Sequence, residues 1–134
     1  MVASVMEMIA VDTNVVIRFL VDDNPGEGKR ARQVFENHRV HLPESVLLES
    51  EWVLRAVYGF SRLEISNAFR ALLRLPSVTV DDRTAVLQVF DWFDEGFDFA
   101  DALHYIRSAG LDLKTFDKKF LNKGKKHGLK ISLP

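Results

Sequence analysis

The strongest constraint on the fold of this chain is a repeated exchange between very short apolar segments and helical ones, each exchange marked by a turn residue or an acid. Residues 7–12 (Glu-Met-Ile-Ala-Val-Asp) predict a short buried strand that ends on an acid, and Val15 to Leu20 a helix. The cluster Asp22-Asp23-Asn24-Pro25-Gly26 predicts a turn, and residues 27–38 a helix with Ala31, Val34, Phe35 and His38 on one stripe. A second strand over residues 40–43 is closed by proline and followed by a helix from Glu44 to Tyr58. Ser61-Arg62-Leu63-Glu64 is a capping box opening a helix that Pro76 stops. Further strands are expected at Ser77 to Val80, Leu111 to Phe116 and Leu129 to Ser132. Helices are expected at 83–95, with Gly96 just past its end, from Phe99 to Ala109 behind an Asp98 cap, and briefly near Lys118 to Leu121. Strands alternating with helices and helical pairs predict an α/β fold, with a parallel sheet of four to five short strands flanked by helices on both faces. A chain of 134 residues suits one such domain.

In sheets of this kind ligands gather beyond the carboxyl ends of the strands, which directs attention to the acids there. Asp12 ends the first strand, Asp117 follows Lys114-Thr115 at the end of a later one, and Asp101 lies in the first turn of the preceding helix. Each has a simpler reading as a helix cap or first-turn acid, as does Asp98. Glu49 resists that reading. Its helical neighbours at three and four residues are Val46, Trp52 and Val53, so an apolar face is expected around it, and a carboxylate there needs a partner or a cation. Glu51, four residues before Arg55, is expected to form a surface ion pair. Clustered carboxylates repel one another, and a hard cation such as magnesium or manganese relieves the repulsion through oxygen ligands.

Other chemistries fit less well. The chain has no cysteine, which excludes disulfides and thiolate metal sites and fits a reducing compartment. His38, His41, His104 and His127 offer no zinc-like spacing and read as structural or surface residues. No apolar run approaches the ~20 residues of a membrane span, and the first eight residues lack the pattern of a secretion signal. Neither a glycine-rich dinucleotide loop nor a phosphate-binding loop is present. A phosphotransferase of the haloacid-dehalogenase kind expects an aspartate where this chain has Asn14, and a signalling receiver domain expects an acidic pair beside the first strand. The net charge of −1 hides an asymmetry: residues 114–130 carry seven lysines against Asp117 alone, about +6, leaving about −7 elsewhere by difference. Such a basic segment attracts a polyanion or serves as a solvated tail.

With these residues assembled, the sequence resembles the PIN domain, and within it the VapC-type toxins of toxin–antitoxin pairs. Four stretches carry the resemblance: residues 9–15 around Asp12, 43–55 around Glu49, 98–103 around Asp101, and 115–120 around Asp117. In the second stretch the register also admits Glu51. The resemblance extends over residues 8–133, so the domain is expected at 8–134 with residues 1–7 as an N-terminal extension.

The resemblance implies a cytoplasmic endoribonuclease that uses one or two Mg2+ or Mn2+ ions to cut single-stranded RNA, leaving 5′-phosphate and 3′-hydroxyl ends. It implies Asp12 and Asp101 as metal ligands, Asp117 as a ligand directly or through water, and Glu49 as the acid that holds and helps deprotonate the attacking water. Thr13, Asn14 and Thr115 would orient ligands or phosphate oxygens, with Asp98 supporting them or acting only as a cap. Lys118, Lys119, Lys123, Lys125 and Lys126 would grip flanking phosphates. A VapB-like antitoxin and a second copy of the chain are the implied protein partners, with Phe60, Phe69 and Trp92 as apolar candidates for such contacts. The alternative is a PIN-fold module that binds RNA or protein without turnover.

Overall fold

The chain is described by a computed structural model over residues 6–134. Of the expected N-terminal extension, residues 1–5 lie outside the described residues. Glu7 is already tied down, because its carbonyl accepts the Arg39 N–H at 3.1 Å. Backbone contacts gather into two compact units that divide between Arg83 and Thr84.

The first unit runs β1 (Met8–Ala10), α1 (Thr13–Leu20), α2 (Pro25–Asn37), β2 (Arg39–His41), α3 (Glu44–Ala56), α4 (Arg62–Arg74) and β3 (Val78–Thr79). Its strands form a parallel sheet in the order β1-β2-β3, with Ile9 opposite Val40 and Val40 opposite Val78. Val40 on the middle strand is wholly buried, as expected of a parallel strand covered on its faces. The helices start where the sequence offers caps. Asn24 accepts the Glu27 N–H ahead of Pro25, and Ser61 and Glu64 bond each other's backbone in a complete capping box. Helix α1 packs on both α2 and α3. Arg18 at its end joins Asp23, Glu27 and the Tyr58 hydroxyl, fixing the turn into α2.

The second unit contains α5 (Arg83–Asp94, apart from its first residue), α6 (Phe99–Arg107), β4 (Leu113–Lys114), α7 (Lys118–Lys126) and β5 (Ile131–Ser132). Its two strands pair in parallel, Leu113 with Ile131 and Lys114 with Ser132. Aromatic side chains build its core: Phe93 and Phe99 meet edge to face at 5.6 Å, and Phe97 meets Phe120 at 6.3 Å. Gly96, at φ +99°, takes the left-handed turn after α5 that its place in the sequence predicts.

The architecture is thus α/β with parallel strands. The five described strands pair as a set of three and a set of two, where one sheet of four to five was expected. Boundaries also move, among them the ends of α6 and α7. Helix α6 stops at Arg107, because Ala109 and Gly110 both adopt positive φ. Helix α7 continues well beyond Leu121 to Lys126, passing through Gly124. A glycine there looks like a helix breaker but answers a packing need. A Cβ on Gly124 would stand 2.9 Å from the Ile131 Cγ2, a methyl on a stiff β-branched side chain anchored in β5. Phe69, considered above as a contact residue, is core at 1 % exposure, while Phe60 and Trp92 are half-buried.

Helix propensity alone would make Gly124→Ala stabilising by about 1 kcal/mol. Overpacking against Ile131 costs about 1–3 kcal/mol, so the variant should be less stable than wild type in urea unfolding. In an Ile131→Ala background the same change should be neutral or favourable, and additive effects in this double-mutant cycle would refute the contact.

Candidate active site

Asp12 sits between β1 and α1 because the strand's end becomes the helix's cap. Its Oδ1 accepts the Val15 N–H at 3.4 Å, which leaves the second carboxylate oxygen outside the cap. Thr13 begins the helix buried and Asn14 is exposed beside it.

The second acidic stretch corrects the expected burial. The buried residues of α3 are Val46, Leu47, Ser50, Glu51 and Leu54, so of the apolar neighbours of Glu49 only Val46 is buried. Glu49 is exposed, and its neighbour Trp52 is 54 % exposed. Glu51 is only 3 % exposed, and its carboxylate takes Arg55 Nε at 2.8 Å. Glu51 therefore belongs to a part-buried ion pair and not the surface pair expected. Glu49 is the carboxylate of α3 that solvent and a cation can reach.

In the second unit, Asp98 and Asp117 repeat the arrangement at Asp12. Asp98 Oδ1 accepts the Asp101 N–H at 3.1 Å and starts α6, while Asp117 Oδ1 accepts the Phe120 N–H at 3.0 Å and starts α7. Thr115 Oγ1 accepts the Asp117 N–H at 3.0 Å, so Thr115 positions Asp117 from its place beside β4. Asp101 is half-buried, and its carboxylate has no hydrogen-bond or ion-pair partner among the described residues. Burial raises its pKa, and the negative charges of Asp98 and Asp117 raise it further, against a smaller lowering by His104. These three carboxylates therefore lie within electrostatic reach of one another.

Asp12, Glu49, Asp98, Asp101 and Asp117 offer only hard oxygen donors, and the charge of Asp101 is offset only in part, by His104. That donor chemistry fits magnesium or manganese. Among the described residues no group of three or more His, Asp or Glu side chains is set as a ready metal cage. The first unit also holds a groove of about 570 Å³ lined by Asn14, Arg18, Arg30 and Gln33, but Asp12 and Glu49 do not line it.

The lysines of residues 114–130 are not equivalent. Lys114 pairs with Asp112 at 3.0 Å, Lys130 Nζ donates to the Gly110 carbonyl at 3.3 Å, and Lys123 lies over the Phe97 ring at 5.6 Å. Lys123 is half-buried, unlike the other four lysines of the expected phosphate-gripping set. Lys118, Lys119, Lys125 and Lys126 are exposed and have no ion-pair partner among the described residues. The sequence reading passed over Phe116. It is 80 % exposed, and the signal for it was an aromatic lodged between two candidate site residues in a strand-to-helix turn.

The family model described as PIN domain matches residues 9–126, a span that includes Asp12, Glu49, Asp98, Asp101 and Asp117. No curated protein matches the chain.

A carboxyl whose pKa is raised on folding binds its proton more tightly in the folded state, so stability is lost as pH rises through the raised value. Asp101→Asn removes that loss, against a smaller forfeited attraction to the α6 N-terminus. The variant should show a higher Tm than wild type at pH 7, and the gap should close in acid, below the ordinary carboxyl value. An Asp101→Asn protein with a lower Tm at pH 7 would contradict this reading of the site.

Proposed function

The chain belongs to the PIN-domain family, and from that premise we propose that it is a Mg2+- or Mn2+-dependent endoribonuclease, the toxin of a VapBC-type pair. PIN domains are typically nucleases. The observation that carries the reading onto this chain is the unpartnered Asp101 carboxyl, its pKa raised beside Asp98 and Asp117.

In this reading Asp12 and Asp101 hold the cation, with Asp117 joining directly or through water. A bound divalent cation supplies a lowered water pKa near neutrality and charge neutralisation at the phosphate. Glu49, exposed on α3, takes the proton of the attacking water. The water oxygen attacks phosphorus in line, the bond from phosphorus to the 3′ oxygen breaks, and that oxygen takes a proton from solvent to become the 3′-hydroxyl. The phosphate remains on the 5′ side of the downstream nucleotide. Thr115 holds Asp117 in place through its backbone, while Thr13 and Asn14 flank Asp12. Lys118, Lys119, Lys125 and Lys126 hold flanking phosphates. Caps on Asp12, Asp98 and Asp117 do not compete with these roles, because each cap uses Oδ1 alone.

The proposal extends to a small VapB-like antitoxin as inhibitor, a homodimer as the working form, and the cytoplasm as the place of action. Among the described residues no helix is long and apolar enough to cross a membrane. A second reading, a PIN-fold module that binds RNA or protein without turnover, is favoured by the lack of a ready three-carboxylate group among the described residues.

Cleavage of a mixed RNA pool by purified protein, with and without Mg2+ or Mn2+, separates the two readings. Asp12→Asn, Asp101→Asn and Glu49→Gln should each lower cleavage by about 100-fold or more with the fold retained. Mn2+ should raise the Tm of wild type but not of Asp101→Asn. Glu51→Gln should instead lower the Tm, because it breaks the pair with Arg55. Metal-independent or undetectable cleavage by clean wild-type protein rejects the nuclease.

A further inference from the structure

Phe116 is the most exposed large apolar side chain among the described residues and the one exposed phenylalanine of the ten in the chain. Leaving such a ring in water forgoes about 1.5–3 kcal/mol, which contact with a partner would recover. The backbone on either side is fixed. The Thr115 N–H donates to the Ser132 carbonyl at 3.0 Å, the Asp117 N–H donates to Thr115 Oγ1 at 3.0 Å, and Asp117 in turn caps α7. Phe116 is therefore the middle residue of a pinned turn, and its ring is presented at a fixed point next to Asp117.

Helix α7 begins two residues later, and its free cations share one face. Lys118 and Lys125 are seven residues apart, as are Lys119 and Lys126, so each pair lies within about 20° around the helix and about 10.5 Å along it. Exposed Asn122 stands between the pairs at spacings of three and four residues. The face therefore presents four lysines and an amide with no carboxylate among them.

We propose that Phe116 is a stacking platform for one unpaired base of a single-stranded RNA whose phosphates run along the Lys118, Lys119, Lys125 and Lys126 face of α7. An exposed aromatic next to a basic track is the combination that binds single strands: the ring accepts any base on its π-face while the cations hold the backbone. A duplex offers no free base face to the ring, so the pairing selects unpaired RNA. Phe116 is thus a specificity-determining residue beside Asp117 and takes no part in proton or metal chemistry. The inference rests on the nuclease reading only in naming RNA as the strand.

The test uses the full chain in EDTA and short oligo-adenylate strands that carry one 2-aminopurine, read by fluorescence. Wild type should quench the 2-aminopurine on binding. Phe116→Ala should bind about 5- to 100-fold more weakly and lose the quench, Phe116→Trp should restore both, and Tm should be unchanged in both variants. The double variant Lys118→Gln/Lys125→Gln should keep the quench at saturation and flatten the log-log salt dependence by about 1.4. Equal affinity and quenching in wild type and Phe116→Ala would overturn the proposal even if the protein cleaves RNA. So would a Phe116→Ala effect confined to oligomeric state in sedimentation, which would make the ring a protein contact. Quenching that depends on Phe116, in a protein that cuts nothing with Mg2+ or Mn2+, would sustain the platform and reject the nuclease.

Discussion

The carboxylates of this protein are held by helix beginnings. Asp12, Asp98 and Asp117 each close the first turn of a helix with one oxygen, which satisfies a backbone N–H that would otherwise have no intrahelical partner. Each such cap is worth about 0.5–2 kcal/mol, and the positive end of the helix favours the ionised acid. Each of these anions is thereby individually stabilised by the helix it starts. Asp101 is the exception. It lies in the first turn of α6, its carboxylate caps nothing, and burial followed by the charges of Asp98 and Asp117 disfavours its ionised form. A residue made uncomfortable in the resting protein is the one with most to gain from a cation.

This division also explains why structural and catalytic readings of the acids are not rivals. A carboxylate has two oxygens and about four lone-pair sites, so a cap consumes a fraction of its capacity. The cap then fixes the side-chain rotamer and aims the remaining oxygen. Thr115 does the same one step back, by gripping the Asp117 backbone and not its carboxylate. The short strands supply the starting points: β1 ends two residues before Asp12, and β4 ends three residues before Asp117.

Much of this arrangement was legible in the sequence, because local rules govern it. The Ser61 capping box, the Asp98 cap and the left-handed Gly96 follow from short-range chemistry and stand where the residues place them. What escaped reading depends on tertiary partners. On α3 the buried stripe includes Ser50 and Glu51, so hydrophobic spacing pointed to the wrong face and assigned the roles of Glu49 and Glu51 the wrong way round with respect to burial. Gly124 reads as a helix end until Ile131 is seen against it. Lys123 reads as one more free cation until Phe97 is seen beneath it. The division of the strands into three and two has no sequence signal, since pairing partners are distant in the chain.

The strands themselves are two or three residues long. Hydrogen bonds across such ladders are few, so the helices must carry the burden of holding the polypeptide together. The brevity brings a compensation. A strand edge becomes a hazard when it offers a long, flat row of unpaired amides on which another polypeptide can zip up. Segments this short end before such a row is established, which leaves a second copy of the polypeptide little edge on which to pair.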